Sequence, residues 1–304
     1  MIKRLNVFST SFFLKAIKHM TIKGIVPITL ANGNVIKMYS NSDDFVLKEL
    51  YFGLNDEKGT EKIMKLAAER SAVIFDIGAN TGLFSISCSG YNPHARIFSF
   101  EPVEQIADRF DKNISINHLS NIEVIRKLVS DKVQEDMTLF VPNSEISYSA
   151  STFKDFHDPE TITPTKVEAT TIDDFKRERS LPKIDFIKVD VEWHEFEVLL
   201  GAMDVLKNDS PLLIIEILFS SLEVRKNAQL AGKLPQDHHL NIQKLLTDLG
   251  YYSYMINALG IYRVDQLEPN ANERNYLFSK KQSERHFISF NESDLIVDQV
   301  FNNV

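Results

Sequence analysis

The sequence predicts an α/β fold with a doubly wound, mostly parallel sheet, and three observations support this. An apolar run at 73–75 leads into a glycine loop, DIGANTG at 76–82, which precedes a helical stretch. A second apolar run at 97–100 ends on Glu101 and Pro102. Further apolar runs then alternate with amphipathic helical patterns. Strand, glycine loop, helix, strand and acid follow one another as in the nucleoside-binding half of such folds.

Composition narrows the class of protein. The chain has 304 residues, of which 43% are apolar and 25% charged, as expected of a globular protein. A formal net charge of -8 argues against general nucleic-acid binding. The single cysteine, Cys88, excludes an internal disulfide framework and fits a reducing compartment. With no apolar run long enough to span a membrane and no secretory signal in the sequence, we predict a cytoplasmic location.

Residues 1–70 are predicted to form an N-terminal extension. Within it, 1–24 carries lysine and arginine but no acid, with aromatic and aliphatic residues between them. This pattern fits a membrane-surface or partner helix, or a helix that packs on its own domain, and we favour the second interpretation. Asn32-Gly33 lies between two β-type runs, which predicts a hairpin. Two helical segments follow before the first central strand.

The remaining chain is divided into a core domain at 71–281 and a C-terminal tail at 282–304. A polar insertion at 143–163 is bracketed by two extra strands. Three late strands without intervening helices predict antiparallel pairing at one edge of the sheet. The strands expected after the glycine loop are at 97–100, 122–125, 137–141, 165–170, 185–189, 212–217, 251–256, 261–264 and 275–279.

The glycine loop favours S-adenosylmethionine over a dinucleotide. A dinucleotide site uses G-x-G-x-x-G and directs a helix N-terminus at a pyrophosphate, whereas Gly78 and Gly82 are spaced G-x-x-x-G, with Asn80 between them. Both glycines allow a sharp turn and close approach of a ligand. S-adenosylmethionine carries no phosphate, so an acidic site suits it. We expect Asp76 to face its amino group and Glu101 to accept hydrogen bonds from its ribose hydroxyls.

A second group of polar residues follows the strand at 185–189. Lys188 interrupts this apolar strand as Glu216 interrupts the strand at 212–217, and a buried lysine needs an anionic partner. We therefore expect Lys188 and Glu216 to pair across neighbouring strands. Asp190, Glu192 and His194 come at the carboxyl end of the strand, where ligands bind in open α/β sheets. They are candidates for a general base; a divalent metal site there is an alternative that we do not favour.

Taken together, these segments resemble the FkbM family of S-adenosylmethionine-dependent methyltransferases. The resemblance covers about 71–217, and the matching segments are FDIGANTG (75–82), FSFEP (98–102), LSNIEVI (119–125), TTIDDF (170–175), IDFIKVDVEWHEFEVLLGA (184–202) and PLLIIEI (211–217). It implies a Rossmann-like, seven-stranded class I methyltransferase sheet with helices on both faces. It also implies O-methylation, often of a sugar or natural-product hydroxyl, and places the segment at Ser130 and Asp131 near the adenine. The full set of predicted cofactor-binding residues is Asp76, Gly78, Asn80, Gly82, Glu101, Pro102, Ser130, Asp131 and Asp190.

One residue departs from the family pattern. The family usually reads Asp-x-Glu-Gly where this chain has Asp190-Val191-Glu192-Trp193. A glycine there can serve a backbone conformation that tryptophan tolerates poorly, or allow close approach of the substrate. We consider two roles for Trp193: stacking on a sugar face in the acceptor site, together with Glu216, or filling space between a loop and a helix.

The predicted function is therefore S-adenosylmethionine-dependent O-methyl transfer to a sugar, glycan or natural-product acceptor. His194 is the first candidate for the base because of its pKa near neutrality, followed by Asp190 and Glu192, with Lys188 in the same catalytic set. The polar insertion is expected to cover the acceptor side. Two alternatives come from other classes: a methyltransferase-like protein that binds a nucleoside ligand or a partner without catalysis, and a nucleotide-linked oxidoreductase, which the loop spacing argues against.

Overall fold

The protein is described here from a computed structural model. The described residues are 20–42, 45–51, 58–142, 150–152, 162–221, 234–235, 237–268 and 274–301. The helix predicted in the basic segment at 1–24 and the acceptor-side cover predicted for the polar insertion at 143–163 fall mostly outside these ranges.

The N-terminal extension contains the predicted hairpin. Strands β1 (Lys23–Thr29) and β2 (Val35–Asn41) pair antiparallel, with Gly33 in the turn at a φ of 86°. Helices α1 (Phe45–Tyr51) and α2 (Lys58–Ala68) follow. Apolar residues of all four elements join the core on one face of the central sheet.

The central sheet has five neighbouring parallel strands: β3 (Val73–Ile77), β4 (Arg96–Phe100), β5 (Ile122–Ile125), β9 (Phe186–Val189) and β10 (Leu212–Glu216). Because side chains alternate along a strand, Phe75 and Ile77 face one hydrophobic core and Ile74 faces the other. Both faces are therefore covered, as the continuous apolar runs predict.

Helices cover the two faces in separate sets. The helices on the face of Phe75 are α5 (Ile172–Glu178), α6 (Glu195–Leu200), α7 (Met203–Asn208) and α8 (His238–Asp248). On the face of Ile74, the extension is joined by α3 (Leu83–Tyr91) and α4 (Glu104–Asn117). The α/β fold class with helices on both faces is confirmed.

The late strands form an antiparallel edge, as predicted. They are β11 (Tyr252–Ile256), β12 (Gly260–Val264), β13 (Asn275–Ser279) and β14 (Phe287–Ser289), and the sheet order is β14-β12-β11-β13-β10-β9-β3-β4-β5. Seven strands from β11 to β5 correspond to the expected sheet, and β12 and β14 extend it to nine.

The segment predicted to be a tail contributes to this edge. After β14 come a short 3-10 helix (Phe290–Glu292) and helix α9 (Ser293–Val300), and Ile288, Ile296 and Val300 are buried. The polar composition of the segment conceals these widely spaced apolar residues, which reach the core only once the strand and helix have formed.

The chain segment that follows β5 forms a separate three-stranded sheet. It consists of β6 (Leu128–Val129), β7 (Gln134–Pro142) and β8 (Ile162–Thr170), in the order β6-β8-β7. Its strands β7 and β8 are the pair predicted to bracket the polar insertion. In the described part of the chain, no helix is long and apolar enough to cross a membrane.

Candidate active site

The carboxyl ends of β3, β4, β9 and β10 meet at one edge of the central sheet, and two cavities open there. The smaller has a volume of about 80 Å³ and the larger about 350 Å³. Both are lined by Gly78, Asn80, Asp190 and Glu192, so these four residues form the boundary between them. This is where ligands bind in open α/β sheets.

Gly78 brings the loops after β3 and β9 into contact. Its φ is 80°, and a Cβ added to it would lie 1.9 Å from the carbonyl oxygen of Asp190. Its amide and that of Ala79 donate to the carbonyl of Phe100 at 3.1 and 2.9 Å. Glycine at this position is required both by the backbone conformation and by the approach of the second loop.

Gly82 takes the turn conformation that was predicted, but the side chain nearest to it belongs to the protein core. A Cβ there would lie 2.0 Å from Cε2 of Phe110, on helix α4, and its φ is 88°. Gly82 does not line either cavity among the described residues. The second glycine of the loop therefore leaves room for the Phe110 ring, and Gly82 is not among the described residues that line the two cavities.

Glu101 is a buried carboxylate on the wall of the smaller cavity. Oε2 accepts from the amide of Asn80 at 3.0 Å, and Oε1 accepts from the amide of Val103 at 2.9 Å. Burial raises the pKa of Glu101 to about 7, although the two amide hydrogen bonds oppose the shift. The carboxylate is thus fixed in position beside the cleft before any ligand binds.

The smaller cavity is otherwise largely apolar. Pro102 lines it as predicted for the cofactor region, as do Ile106, Leu128, Val129 and Leu139. The family resemblance implied that Ser130 and Asp131 lie near the adenine, but the residues of this segment that line the cavity are the preceding ones, 127–129. The Ser130 side chain instead turns inward: it contacts the His194 ring at 3.0 Å and donates to Asp131.

Asp76 lies beneath the cleft rather than on its surface. It is fully buried in β3, where Oδ2 accepts from the Ser85 hydroxyl at 2.6 Å. Burial raises the pKa of Asp76, and the nearby Lys188 ammonium opposes this shift. The prediction that Asp76 faces the amino group of a cofactor is therefore corrected, because its position inside the strand turns it toward neighbouring strands and α3.

Lys188 is paired with carboxylates other than the one predicted. Its Nζ lies 2.9 Å from Oδ2 of Asp190 and 4.0 Å from Oδ1 of Asp76, whereas Glu216 forms an ion pair with Arg274 at 3.9 Å. Burial disfavours the ammonium, but Asp190, Asp76 and, more weakly, Glu216 outweigh it and raise the pKa of Lys188. The strand β9 lies between β10, which carries Glu216, and β3, which carries Asp76. Lys188 is in register with Asp76 on β3, and the prediction considered only the strand on the other side.

The loop after β9 takes an unusual conformation. Glu192 and Trp193 have φ values of 50° and 78°, a region that favours glycine. Trp193 is 0% exposed and its ring lies 5.6 Å from that of His238. It fills space between the loop and α8, so the alternative in which it stacks on an acceptor sugar is wrong. The hypothesis that a glycine at this position serves a special backbone conformation agrees with the φ of 78° observed for Trp193.

Glu195 holds this loop from below, a role that the sequence did not reveal. Its Oε1 accepts from the amides of Trp193 at 3.2 Å and Val191 at 3.4 Å, and its Oε2 lies 2.5 Å from Nε2 of His238. Glu195 and His238 are both buried. A carboxylate in the first turn of α6, two residues after a strained loop, was the available signal.

His194 lies behind the cavity wall. Its ring nitrogens contact the Ser130 hydroxyl at 3.0 Å and the Thr152 hydroxyl at 3.2 Å, and it lines neither cavity among the described residues. Burial lowers the pKa of His194, although Glu197 opposes the shift. The structure thus connects His194 to the edges of the site, while Asp190 and Glu192 face the cleft. No group of three metal-binding side chains occurs among the described residues.

With this geometry established, comparison with known proteins gives the family. The family model described as "Methyltransferase FkbM domain" matches residues 76–253, more than half of the chain. The chain belongs to the FkbM methyltransferase family. The match spans the glycine loop, Glu101, the β9 loop and α8, so the residues described above lie within the family domain.

Curated relatives of this FkbM domain include the hexuronic acid methyltransferase AglP of Haloferax volcanii, 27% identical over 169 residues, which are 54% of this chain and 64% of AglP. Methyltransferase sdnD of Sordaria araneosa is 29% identical over 155 residues, 42% of this chain and 59% of sdnD. The antimetabolite synthetase AmbE of Pseudomonas aeruginosa is 23% identical over 237 residues, 67% of this chain and 11% of AmbE. The chain spans less than two thirds of the length of each.

Solved structures similar to this chain include methyltransferase FkbM from Methylobacillus flagellatus, with a TM-score of 0.39 and 15% identity, covering 90% of this chain and 59% of that one. The precorrin-6Y C5,15-methyltransferase of Geobacter metallireducens has a TM-score of 0.39 and 16% identity, covering 72% of this chain and 87% of that one.

Proposed function

We propose that this chain is an S-adenosylmethionine-dependent O-methyltransferase that acts on a hydroxyl of a sugar, glycan or natural-product acceptor. The observation that carries the proposal is that the two cavities adjoin and share the lining residues Gly78, Asn80, Asp190 and Glu192. One cavity offers a nucleoside site and the other offers carboxylates beside a larger space.

The smaller cavity has the chemistry expected of the cofactor's nucleoside end. Glu101 is a preformed acceptor for ribose hydroxyls, and its two amide partners leave lone pairs on both oxygens. Ile106, Leu128 and Leu139 provide apolar surface for an adenine ring. Gly78 lines both cavities, and its missing Cβ gives room to the carbonyl of Asp190 on the second loop. When bound, S-adenosylmethionine supplies a methyl group already activated by a positively charged sulfur.

The remaining task of the protein is to align the acceptor and remove a proton from its hydroxyl. Asp190 and Glu192 line both cavities, and either carboxylate can accept that proton. Lys188 lies 2.9 Å from Asp190 and 4.0 Å from Asp76, so it holds the Asp190 carboxylate in place at the strand end. His194 is the less suitable base because it is enclosed by Ser130 and Thr152, and we assign it a positioning role. The relative AglP is named a hexuronic acid methyltransferase, and this supports a hydroxylated acceptor for the present chain.

Calorimetry with S-adenosylmethionine, S-adenosylhomocysteine and NAD tests the cofactor assignment. We expect the first two to bind and NAD not to bind, and we expect Glu101→Ala to weaken S-adenosylhomocysteine binding by about tenfold or more, because two hydrogen bonds to a charged group are lost. Tighter binding of NAD, or an unchanged affinity in Glu101→Ala, contradicts the proposal.

Release of S-adenosylhomocysteine in the presence of hydroxylated acceptors tests the chemistry. Asp190→Asn or Glu192→Gln, or both, should lower turnover by about a hundredfold or more if a placed base is removed. The matched controls Asp136→Asn and Glu135→Gln change exposed carboxylates on β7 and should leave turnover unaltered. Full turnover in both cleft variants would show that the base lies elsewhere.

A further inference from the structure

The larger cavity has two unlike walls. One wall is mostly apolar and comes from the N-terminal extension and α3: it contains Ile28, Leu30, Val46, Leu50, Met64 and Phe84, with the polar residues Thr60, Glu61 and Ser87. The opposite wall is polar and comes from the ends of β9 and β10: Lys188, Asp190, Glu192 and Glu216. A ligand that fills the cavity must therefore be apolar on one side and polar on the other.

The charges of this cavity select against an anion. Besides the three carboxylates of the polar wall, Glu61 lines the cavity from α2, whereas Lys188 is the one ammonium among its described lining residues. That ammonium is already within 2.9 Å of Asp190 and 4.0 Å of Asp76. Arg274 lies 3.9 Å from Glu216 and offsets that carboxylate, but the other carboxylates still outnumber the ammonium. An added carboxylate or phosphate would thus meet a field of its own sign in a partly buried site.

A plain sugar does not fit the apolar wall either. Its ring presents only small C–H patches, and the hydroxyls around the ring edge that are directed at Ile28, Val46 or Leu50 would lose water without gaining hydrogen-bond partners. The N-terminal extension supplies these aliphatic side chains from β1 and α1. The fold has therefore added an apolar surface directly beside the carboxylates at the strand ends.

We propose that the larger cavity is the acceptor site for an uncharged amphiphile. The hydroxylated end of the acceptor meets Asp190, Glu192 and Glu216, and its apolar body lies against the N-terminal extension. This proposal rests on the proposed O-methyltransferase function and narrows its substrate class to hydroxyls carried by an uncharged molecule with an apolar skeleton. It assigns the extension to acceptor selection.

Three synthetic probes test the site by binding rather than by turnover: octyl β-D-glucopyranoside, methyl β-D-glucopyranoside and octyl β-D-glucopyranosiduronic acid, each below its micellar concentration. With S-adenosylhomocysteine present, we expect the first to bind at least about tenfold more tightly than the second, because the alkyl chain is buried, and than the third, because of its charge. Equal affinities for the three, or no binding of any, overturns the proposal.

Variants locate the binding. Val46→Asp and Leu50→Asn alter the apolar wall and should weaken octyl glucoside binding by about fivefold or more. Their matched controls, Val35→Asp and Leu259→Asn, change side chains that are 55% and 66% exposed outside the cavity, and should leave binding unchanged. Circular dichroism shows whether each variant is folded. Two wall variants are used so that one remains informative if the other fails to fold. Unchanged binding in both folded wall variants overturns the proposal.

Failure of this proposal and of the proposed function are distinguishable. If S-adenosylhomocysteine binds but the octyl chain gives no advantage, the acceptor proposal is wrong and the cofactor assignment stands. If S-adenosylmethionine and S-adenosylhomocysteine both fail to bind, the proposed function is wrong. Octyl glucoside binding measured without cofactor then still decides whether the cavity selects uncharged amphiphiles.

Discussion

Trp193 occupies a backbone conformation that usually belongs to glycine, and its indole is fully buried. The backbone conformation lowers the stability of the protein, whereas burial of the indole raises it. A left-handed conformation costs a side chain about 1–2 kcal/mol, whereas removing a buried tryptophan side chain costs about 3–5 kcal/mol. Packing is therefore the larger effect, and it explains how a tryptophan persists at a position where the family usually has glycine.

Trp193→Gly should destabilise the protein by about 2–3 kcal/mol despite restoring the usual family residue, because the lost packing exceeds the relieved strain. Urea unfolding measures the change. Trp193→Phe keeps the strain and part of the packing, so its loss of stability should be smaller. A Trp193→Gly protein as stable as the parent would show that the loop strain has been underestimated.

The pKa of Glu101, raised to about 7 by burial, makes cofactor binding depend on pH. The ionised carboxylate accepts hydrogen bonds from ribose hydroxyls, and its ionised fraction increases as the pH rises through 7. The affinity for S-adenosylhomocysteine should therefore increase by about five- to tenfold between pH 6 and pH 8.

Calorimetry across this range checks the Glu101 prediction, and Glu101→Gln is the control because its amide does not titrate. Binding to the variant should be weaker and nearly independent of pH. A parent protein whose affinity falls toward pH 8, or a variant that keeps the full pH dependence, would assign the titration to another group.

At the scale of elements, the site depends on how closely the ends of β3 and β9 approach. Gly78 lies against the carbonyl of Asp190, and Glu195 at the start of α6 pins the amides of Val191 and Trp193 from the other side. The β9 loop is thus clamped between a glycine and a buried carboxylate. This clamp fixes the direction in which Asp190 and Glu192 face the cleft.

Gly78→Ala should destabilise the protein by about 3 kcal/mol or more and abolish S-adenosylhomocysteine binding, because the added Cβ both strains the backbone and clashes with Asp190. Gly33→Ala is the matched control: its φ is 86°, but nothing lies within 4 Å of the added Cβ. It should cost only about 1–2 kcal/mol and leave binding intact. Equal losses of stability for the two variants would exclude the clash.

At the scale of the whole molecule, both ends of the described chain pack against the central sheet, and the C-terminal end also adds the strand β14 to it. The N-terminal hairpin and helices contribute to the core on one face, and β14 and α9 join the antiparallel edge on the same face. The larger cavity lies between the N-terminal extension and the strand ends. Residues far apart in the sequence thus pack together around the site.

Ile296→Ala, in the segment expected to be a tail, should lower the free energy of unfolding by about 2–4 kcal/mol, because the side chain is 0% exposed. The loss should appear in one transition shared by fluorescence and circular dichroism. Val133→Ala, at a side chain exposed by 58%, serves as the control and should change stability by about 0.5 kcal/mol or less. A separate early transition in Ile296→Ala would make the segment an independent appendage.

Local patterns sufficed to predict the alternating strands and helices, the Asn-Gly hairpin, the antiparallel edge and the edge of the sheet at which the cleft opens. Apolar periodicity and glycine spacing act over a few residues, so they can be read directly from the chain. The position of Glu101 could also be predicted from the local sequence, because a residue that directly follows a parallel strand lies at the edge of the sheet where ligands bind. The family pattern at 190–193 likewise pointed to a special backbone conformation.

Tertiary structure determined which of the polar residues face the cleft. Asp76, His194 and Trp193 belong to the right segments, but strand register and helix packing turn them into the interior, and Lys188 meets Asp76 and Asp190 instead of Glu216. The apolar wall of the larger cavity likewise exists only where the N-terminal extension crosses the strand ends. Such contacts join residues distant in sequence, and their geometry depends on the packing of every element between them.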